Sequence, residues 1–421
     1  MDKKTIASLT DSLKNIVSKS TPLSSSNFGN LRMHDGVAYG LSTEAAVEFN
    51  ELISKILKHK NFSSKFSSGY IEVEVKKILA KYLKNPKIQL NEEFYELIRF
   101  LEKDIDSKTI HMRIEGLKTN VEFEIGNVKF INGNNNAIAQ LKNKMNSVLA
   151  LTKNSEQEKE SISNQITNEF NDELLDFTIA IVKVNAEPER AFELAKEEIQ
   201  RSIDILRYAS KFLYPINEDI RIGLKGERPT SSRLGFILSD DSFNTKNDNL
   251  GSRRYFDVTE IELKRMNEIG IPYFSEMLKK KQTTNYEESL IQAVHWLSIS
   301  LIQDETGNSF LFLIAALESL FKQKSGNSIT GTVSECVALM LANTLESRKS
   351  LVKLMRDYYG KRSAVAHGGK KTISDNDLNT LTYIVLSTIS FCVKNIPKFR
   401  NQDMFMDWFD DLKFSAVLTK N

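Results

Sequence analysis

The 421-residue sequence predicts an α+β protein, with a mixed α/β module over residues 1–282 followed by an all-α helical bundle over residues 283–397. Two observations carry this reading. Before residue 282, stretches of period-two alternation interleave with stretches of helical period. After it the strand signals vanish, and Ser/Thr-x-x-Glu/Asp signatures mark successive helix starts.

In the first part, Glu44 to Lys58 and Asn91 to Lys103 repeat apolar residues at amphipathic helical spacing. From His111 to Ile131, β-branched and aromatic residues alternate with polar ones around Gly116 and Gly126, which predicts a hairpin or meander. Asn132 to Asn136 supplies turn residues. Residues 152–171 are rich in Lys, Glu, Ser, Gln and Asn, and read as a solvated helix or a linker between subdomains. Phe177 to Val184 reads as a strand and Glu187 to Tyr214 as a long helix. Asp219 to Gly226 and Arg233 to Ser239 read as further strands.

In the second part, Thr284 with Glu287 opens a helix to about Gln303, and Ser309 to Lys324 forms a strongly apolar second one. Thr332 with Glu335 caps a third, ending near Asn343. A fourth runs from Glu346 to His367 and stops at Gly368-Gly369, a pair that terminates helices because glycine takes the left-handed conformation freely. Ser374 with Asp377 opens a fifth, which ends before Pro397. Residues 398–421 form an acidic, aromatic tail. Phe405, Trp408 and Phe409 predict that it packs back onto a body of the protein.

Bulk composition excludes more than it selects. Lysine and arginine number 57 against 55 acidic residues, so a nucleic-acid partner would need a local basic patch. The two cysteines, Cys336 and Cys392, lie among apolar neighbours with no ligand spacing, as reduced thiols of a cytoplasmic protein do. His34, His59 and His111 lack partners at metal-ligand spacing, so neither a metal nor a cofactor is expected. The N-terminus has no apolar stretch of secretory length, and the longest apolar run, Phe310 to Leu317, is too short to span a bilayer. Signatures of nucleotide loops, zinc proteases and serine hydrolases are absent. For residues 1–282, therefore, a binding or sensing module is the plainest reading.

On the fourth helix, Leu351, Leu354, Met355, Tyr358 and Val365 form one apolar stripe, and Arg362 falls in the middle of it. A guanidinium there must snorkel out, find a carboxylate, or line a cleft that receives an anion. His367 follows five residues later. Five residues of ideal helix turn side chains about 140° apart, so the two converge only where the helix ends or where two copies meet. Glu346 to Lys371 holds eight basic residues against two acidic ones, a surface that attracts phosphate.

The string YYGKRSAVAHGG closely resembles the signature of the Apea-like HEPN family, in which a tyrosine precedes Arg-Ser, three mostly apolar residues and His-Gly. Those positions are Tyr359, Arg362, Ser363, Ala364 to Ala366, His367 and Gly368. Upstream, FLIAALESLFKQ resembles the helix that carries the family's acidic residue, which places that role on Glu318. The segment ECVALML resembles the family's third helix. Many HEPN nucleases carry Asn, Asp or His directly after the arginine; this chain has Ser363, as the Apea-like branch does.

The resemblance implies a dimeric helical bundle that cleaves RNA without metal, in the setting of antiphage defence, abortive infection or toxin systems. Arg362 and His367 would be catalytic, with Glu318, Ser363 and Tyr359 in support. Independently of the resemblance, the basic run places Arg356, Lys361, Lys370 and Lys371 as RNA contacts or as an ordinary solvated face, and Tyr358 and Tyr359 as rings that stack on unpaired bases or simply pack. The partners implied are RNA (tRNA or another host or phage RNA) and a second copy, with a phage-derived trigger or an antitoxin as candidate regulators and no membrane. The alternatives are a HEPN module that binds RNA, nucleotide or protein without cutting, and a purely structural Arg362–Glu318 bridge or Glu318–Lys322 pair.

The chemistry suits those side chains. Imidazole exchanges protons near neutral pH and can deprotonate a 2′-hydroxyl. Arginine stays charged and offers two parallel donors to phosphate oxygens. The expected products are a 2′,3′-cyclic phosphate and a 5′-hydroxyl, with DNA inert.

Overall fold

The computed structural model describes residues 3–21, 31–34, 37–103, 105–227, 232–238, 243–249, 254–321, 328–367 and 373–415. Helices dominate and the strands form small, mainly antiparallel sheets, so the chain is α+β in general terms. It divides into two compact units: residues 1–110 with 183–196, and residues 111–182 with 197–421.

The first unit begins with α1 (Lys3–Ser18), β1 (Ser20–Thr21), β2 (Leu31–His34) and β3 (Val37–Leu41), the strands pairing antiparallel in the order β1-β3-β2. Then come α2 (Thr43–Lys58), α3 (Ser68–Lys84) and α4 (Leu90–Leu101). Ile6, Leu9, Leu13 and Ile16 recur at helical spacing on α1 and are buried with Phe49, Leu52 and Ile56 of α2. Ser42 and Ser67 cap α2 and α3 by accepting backbone N–H groups.

The second unit is built on β4 (Lys108–Glu115), β5 (Leu117–Thr119), β6 (Phe123–Ile125) and β7 (Val128–Asn132). Gly116, with φ 76°, makes the turn after β4, and a Cβ there would meet the Arg221 carbonyl oxygen at 1.9 Å. Only glycine fits. Of the expected hairpin or meander, the antiparallel β6–β7 hairpin forms around Gly126, while β4 and β5 do not pair with each other; α5 (Asn135–Ala150) and α6 (Glu156–Leu174) follow as a helical hairpin. The polar stretch 152–171 thus lies largely in a capped helix, opened by a Ser155–Glu158 capping box.

Next come β8 (Thr178–Val184), α7 (Pro188–Leu213), β9 (Gly223–Leu224), β10 (Ser232–Leu238), β11 (Phe243–Asn249) and β12 (Phe256–Val258). The main sheet has the order β6-β7-β8-β4-β9, while β12 pairs parallel with β5. Only Gly223–Leu224 of the strand expected over residues 219–226 forms. Two short helices, α8 (Glu260–Glu268) and α9 (Ile271–Lys279), lead into the bundle.

The bundle comprises α10 (Asn285–Ser300), α11 (Thr306–Leu320), α12 (Ile329–Leu341), α13 (Leu345–Ala366) and α14 (Asp375–Lys394). Capping boxes start α10 at Thr284 and α14 at Ser374. The expected Thr332 cap is corrected: Ser328 caps α12, and Thr332 is buried inside it. The core joins Phe310, Leu313 and Leu317 of α11 to Val333 and Val337 of α12, Met355 and Tyr358 of α13, and Leu381 and Val385 of α14. Both cysteines are buried and neither is in a disulfide.

The final helix, α15 (Gln402–Ser415), lies in the same unit. Phe405 is buried with its ring 5.0 Å from Tyr286 and 5.9 Å from Phe321. Gln402 donates to the Leu320 carbonyl at 2.7 Å, and Lys413 pairs with Glu335 at 2.7 Å.

Candidate functional site at the end of α13

The last two turns of α13 present the predicted residues on different faces. Tyr358 and Tyr359 point inward, because their rings complete the core against α11; the Tyr358 ring meets Phe310 edge-on at 5.4 Å. Tyr358 is 1% exposed, so the expectation that it stacks on RNA bases is corrected. A ring that forms part of the core has no free face.

Arg362 is not buried in the apolar stripe. Its side chain keeps 44% of its surface in solvent, and Nη2 lies 3.7 Å from Oε2 of Glu318 on α11. At that exposure the ion pair contributes no more than about 1 kcal/mol. At 3.7 Å the contact is an ion pair beyond hydrogen-bond reach, so Glu318 places a negative charge beside the guanidinium and leaves much of it in solvent. The Tyr359 hydroxyl is buried beside both groups, and its pKa is pushed well up by burial, then by the Glu318 charge. It stays protonated. Glu318, Tyr359 and Arg362 therefore form one cluster, drawn from two helices.

His367 is exposed and occupies the C-cap position of α13, with its backbone N–H bonded to the carbonyls of Ser363 and Val365. It leaves the helix about 140° round from Arg362. Ser363 is exposed on the side of His367. Within one chain, the geometry groups Arg362 with Glu318 rather than with His367.

Lys361, predicted to contact RNA, is instead committed inside the protein. Its ammonium lies 2.7 Å from Asp377 and 3.4 Å from Asp357, and the Asp377 hydrogen bond raises its pKa. Asp377 is also the capping-box residue of α14, and its pKa is lowered first by Lys361. One carboxylate thus starts α14 and fastens it to α13. Arg356 is exposed. Lys322, Gly368, Gly369, Lys370 and Lys371 lie outside the described residues.

A second polar cluster joins α7 to α10. Asp204, buried, accepts from Ser298 at 2.5 Å and sits 2.8 Å from Nδ1 of His295. Arg207, 2% exposed, donates to the Ile222 carbonyl at 2.7 Å and to Ser298 at 2.9 Å. The sequence gives no sign of this network, since its two helices are about ninety positions apart; from sequence alone His295, beside Trp296 in an apolar helix, reads as a satisfied core residue.

His295 is in fact a half-exposed partner of Asp204, and hydrogen bonding to that carboxylate raises its pKa. A raised imidazole pKa stabilises the fold below the unfolded value near 6.5, and the gain is lost as pH rises through the folded value. The stability lost on His295→Ala should therefore be larger at pH 6 than at pH 8.5, by less than about 1 kcal/mol because solvent screens the ring. Melting curves of both chains at the two pH values check this; an equal difference at both would rule out the charged pair.

Among the described residues no group of His, Cys, Asp or Glu side chains could hold a metal, and no helix is long and apolar enough to cross a membrane. Compared with known proteins, the chain matches no family model, no curated protein and no solved structure.

Proposed function

We propose that the chain is a metal-independent HEPN-type endoribonuclease whose reacting groups are Arg362 and His367. The observation that carries the reading is the Arg362 guanidinium, half-exposed and 3.7 Å from Glu318, on the helix whose C-cap is an exposed His367. A guanidinium open to solvent suits a phosphate oxygen in charge and in donor geometry. His367 takes the proton from the 2′-hydroxyl, the 2′-oxygen bonds to phosphorus, and the bond to the 5′-oxygen breaks as that oxygen takes a proton from water. Because the two side chains diverge within one chain, the reading pairs them across a homodimer of the bundle. The remainder of the chain would sense a trigger in a defence or growth-arrest setting, in the cytoplasm.

Incubating the purified protein with total cellular RNA in EDTA tests this. The unmodified chain should leave 2′,3′-cyclic phosphate ends and His367→Ala should leave RNA intact; cleavage that survives His367→Ala, or that requires a divalent ion, refutes the mechanism. A second reading, a HEPN module that binds without cutting, is favoured by the divergence of Arg362 and His367, about 140° apart round α13 within one chain. It requires that no RNA is cut and that binding survives Arg362→Ala and His367→Ala.

A further inference from the structure

We propose that the solvent face of α13 is a track for the backbone of single-stranded RNA, running from Lys349 through Lys353 and Arg356 to His367. The inference rests on the ribonuclease reading and specifies how its substrate is held. At 100° per residue, Lys349, Lys353, Arg356, Gly360, Ser363 and His367 fall within about 80° of one another around the helix axis. All six are exposed.

Among the described residues, Lys349, Lys353 and Arg356 have no ion-pair partner, whereas Lys361 and Arg362, on other faces, are both paired. Three uncompensated cations in a row on a near-neutral protein set up a local positive potential. The acidic residues nearby do not cancel it: Glu346 lies one turn before the row, and Asp357 at its edge faces Lys361 at 3.4 Å.

Beyond Arg356 the surface changes from charge to closeness. Gly360 has no side chain, so a sugar-phosphate chain can approach the helix there. Ser363, one turn on, offers a hydroxyl to a phosphate oxygen. The row then ends at His367, where the reading places proton transfer. From Lys349 to His367 the helix is about 27 Å long, which suits a site at the short end of the roughly 4–16 nucleotides bound by single-strand grooves. A duplex fits less well, because the major groove of A-form RNA is too narrow to admit a helix.

The test is binding of a labelled single-stranded RNA of about twelve nucleotides by full-length His367→Ala protein across a salt series, with and without Lys349→Ala, Lys353→Ala and Arg356→Ala together. Alanine preserves the helix at these exposed positions, and unchanged melting curves would confirm folding. Losing three phosphate contacts should lower the salt slope by about 2 and the affinity about a hundredfold at about 0.1 M salt. An unchanged slope and affinity, or no RNA binding by His367→Ala protein at all, overturns the track. Its failure is separable from that of the nuclease. If the triple change abolishes binding while the unmodified chain cuts no RNA, the track stands and the nuclease falls. If the triple change with His367 intact cuts sub-saturating RNA at the unmodified rate, the track falls and the nuclease stands.

Discussion

Replacing Arg362 by alanine is expected to lower RNA cleavage about a hundred- to a thousandfold while leaving the fold intact. The two halves of this expectation have separate causes. Arg362 is 44% exposed and touches one carboxylate, so its removal costs the fold no more than about 1 kcal/mol. In the transition state of phosphodiester cleavage the same side chain faces growing negative charge on non-bridging oxygens, and a positioned donor is worth about 2.7–4 kcal/mol there. Arg362→Lys should recover little, because an ammonium is a point charge and cannot place two parallel donors. Glu318→Gln should be milder than either change, since it loosens the guanidinium without removing it. Single-turnover rates at saturating RNA, set beside melting temperatures, decide the matter. A rate within threefold of the unmodified chain would remove Arg362 from the reaction.

The second large effect is expected far from that site. Asp204→Ala should destabilise the unit containing α7 and α10 by about 3–5 kcal/mol. Arg207 is 2% exposed, and its nearest carboxylate is Asp204, 3.8 Å away and joined to it through Ser298. Deleting the carboxylate leaves the buried guanidinium with only neutral acceptors, the Ile222 carbonyl and the Ser298 hydroxyl, to offset its charge. The cost comes from the abandoned charge more than from the lost attraction. The double change Asp204→Leu with Arg207→Met should therefore be less damaging than Asp204→Ala alone, since apolar groups of similar size need no partner. Denaturant midpoints for the single and double variants make the comparison. A double variant less stable than the single one would show that the network contributes net stability as a pair.

Most helix starts in the bundle are written in short local signals along the chain. Helical periodicity and capping signatures act over three or four residues, so the starts of α10 and α14 at Thr284 and Ser374 were legible from the chain alone. The β6–β7 hairpin around Gly126 was legible for the same reason: turn chemistry is local. Thr332 shows the limit, because a local signature also occurs inside a helix that has already begun at Ile329. What the tertiary structure alone decided is which side of each helix meets which neighbour. It buries Tyr358 against Phe310, turns Lys361 to Asp377, sets Arg362 beside Glu318, and closes Asp204 onto a histidine 91 residues away. Those pairings depend on how helices cross, and crossing is set by the packing of whole faces. No window of neighbouring residues contains that information.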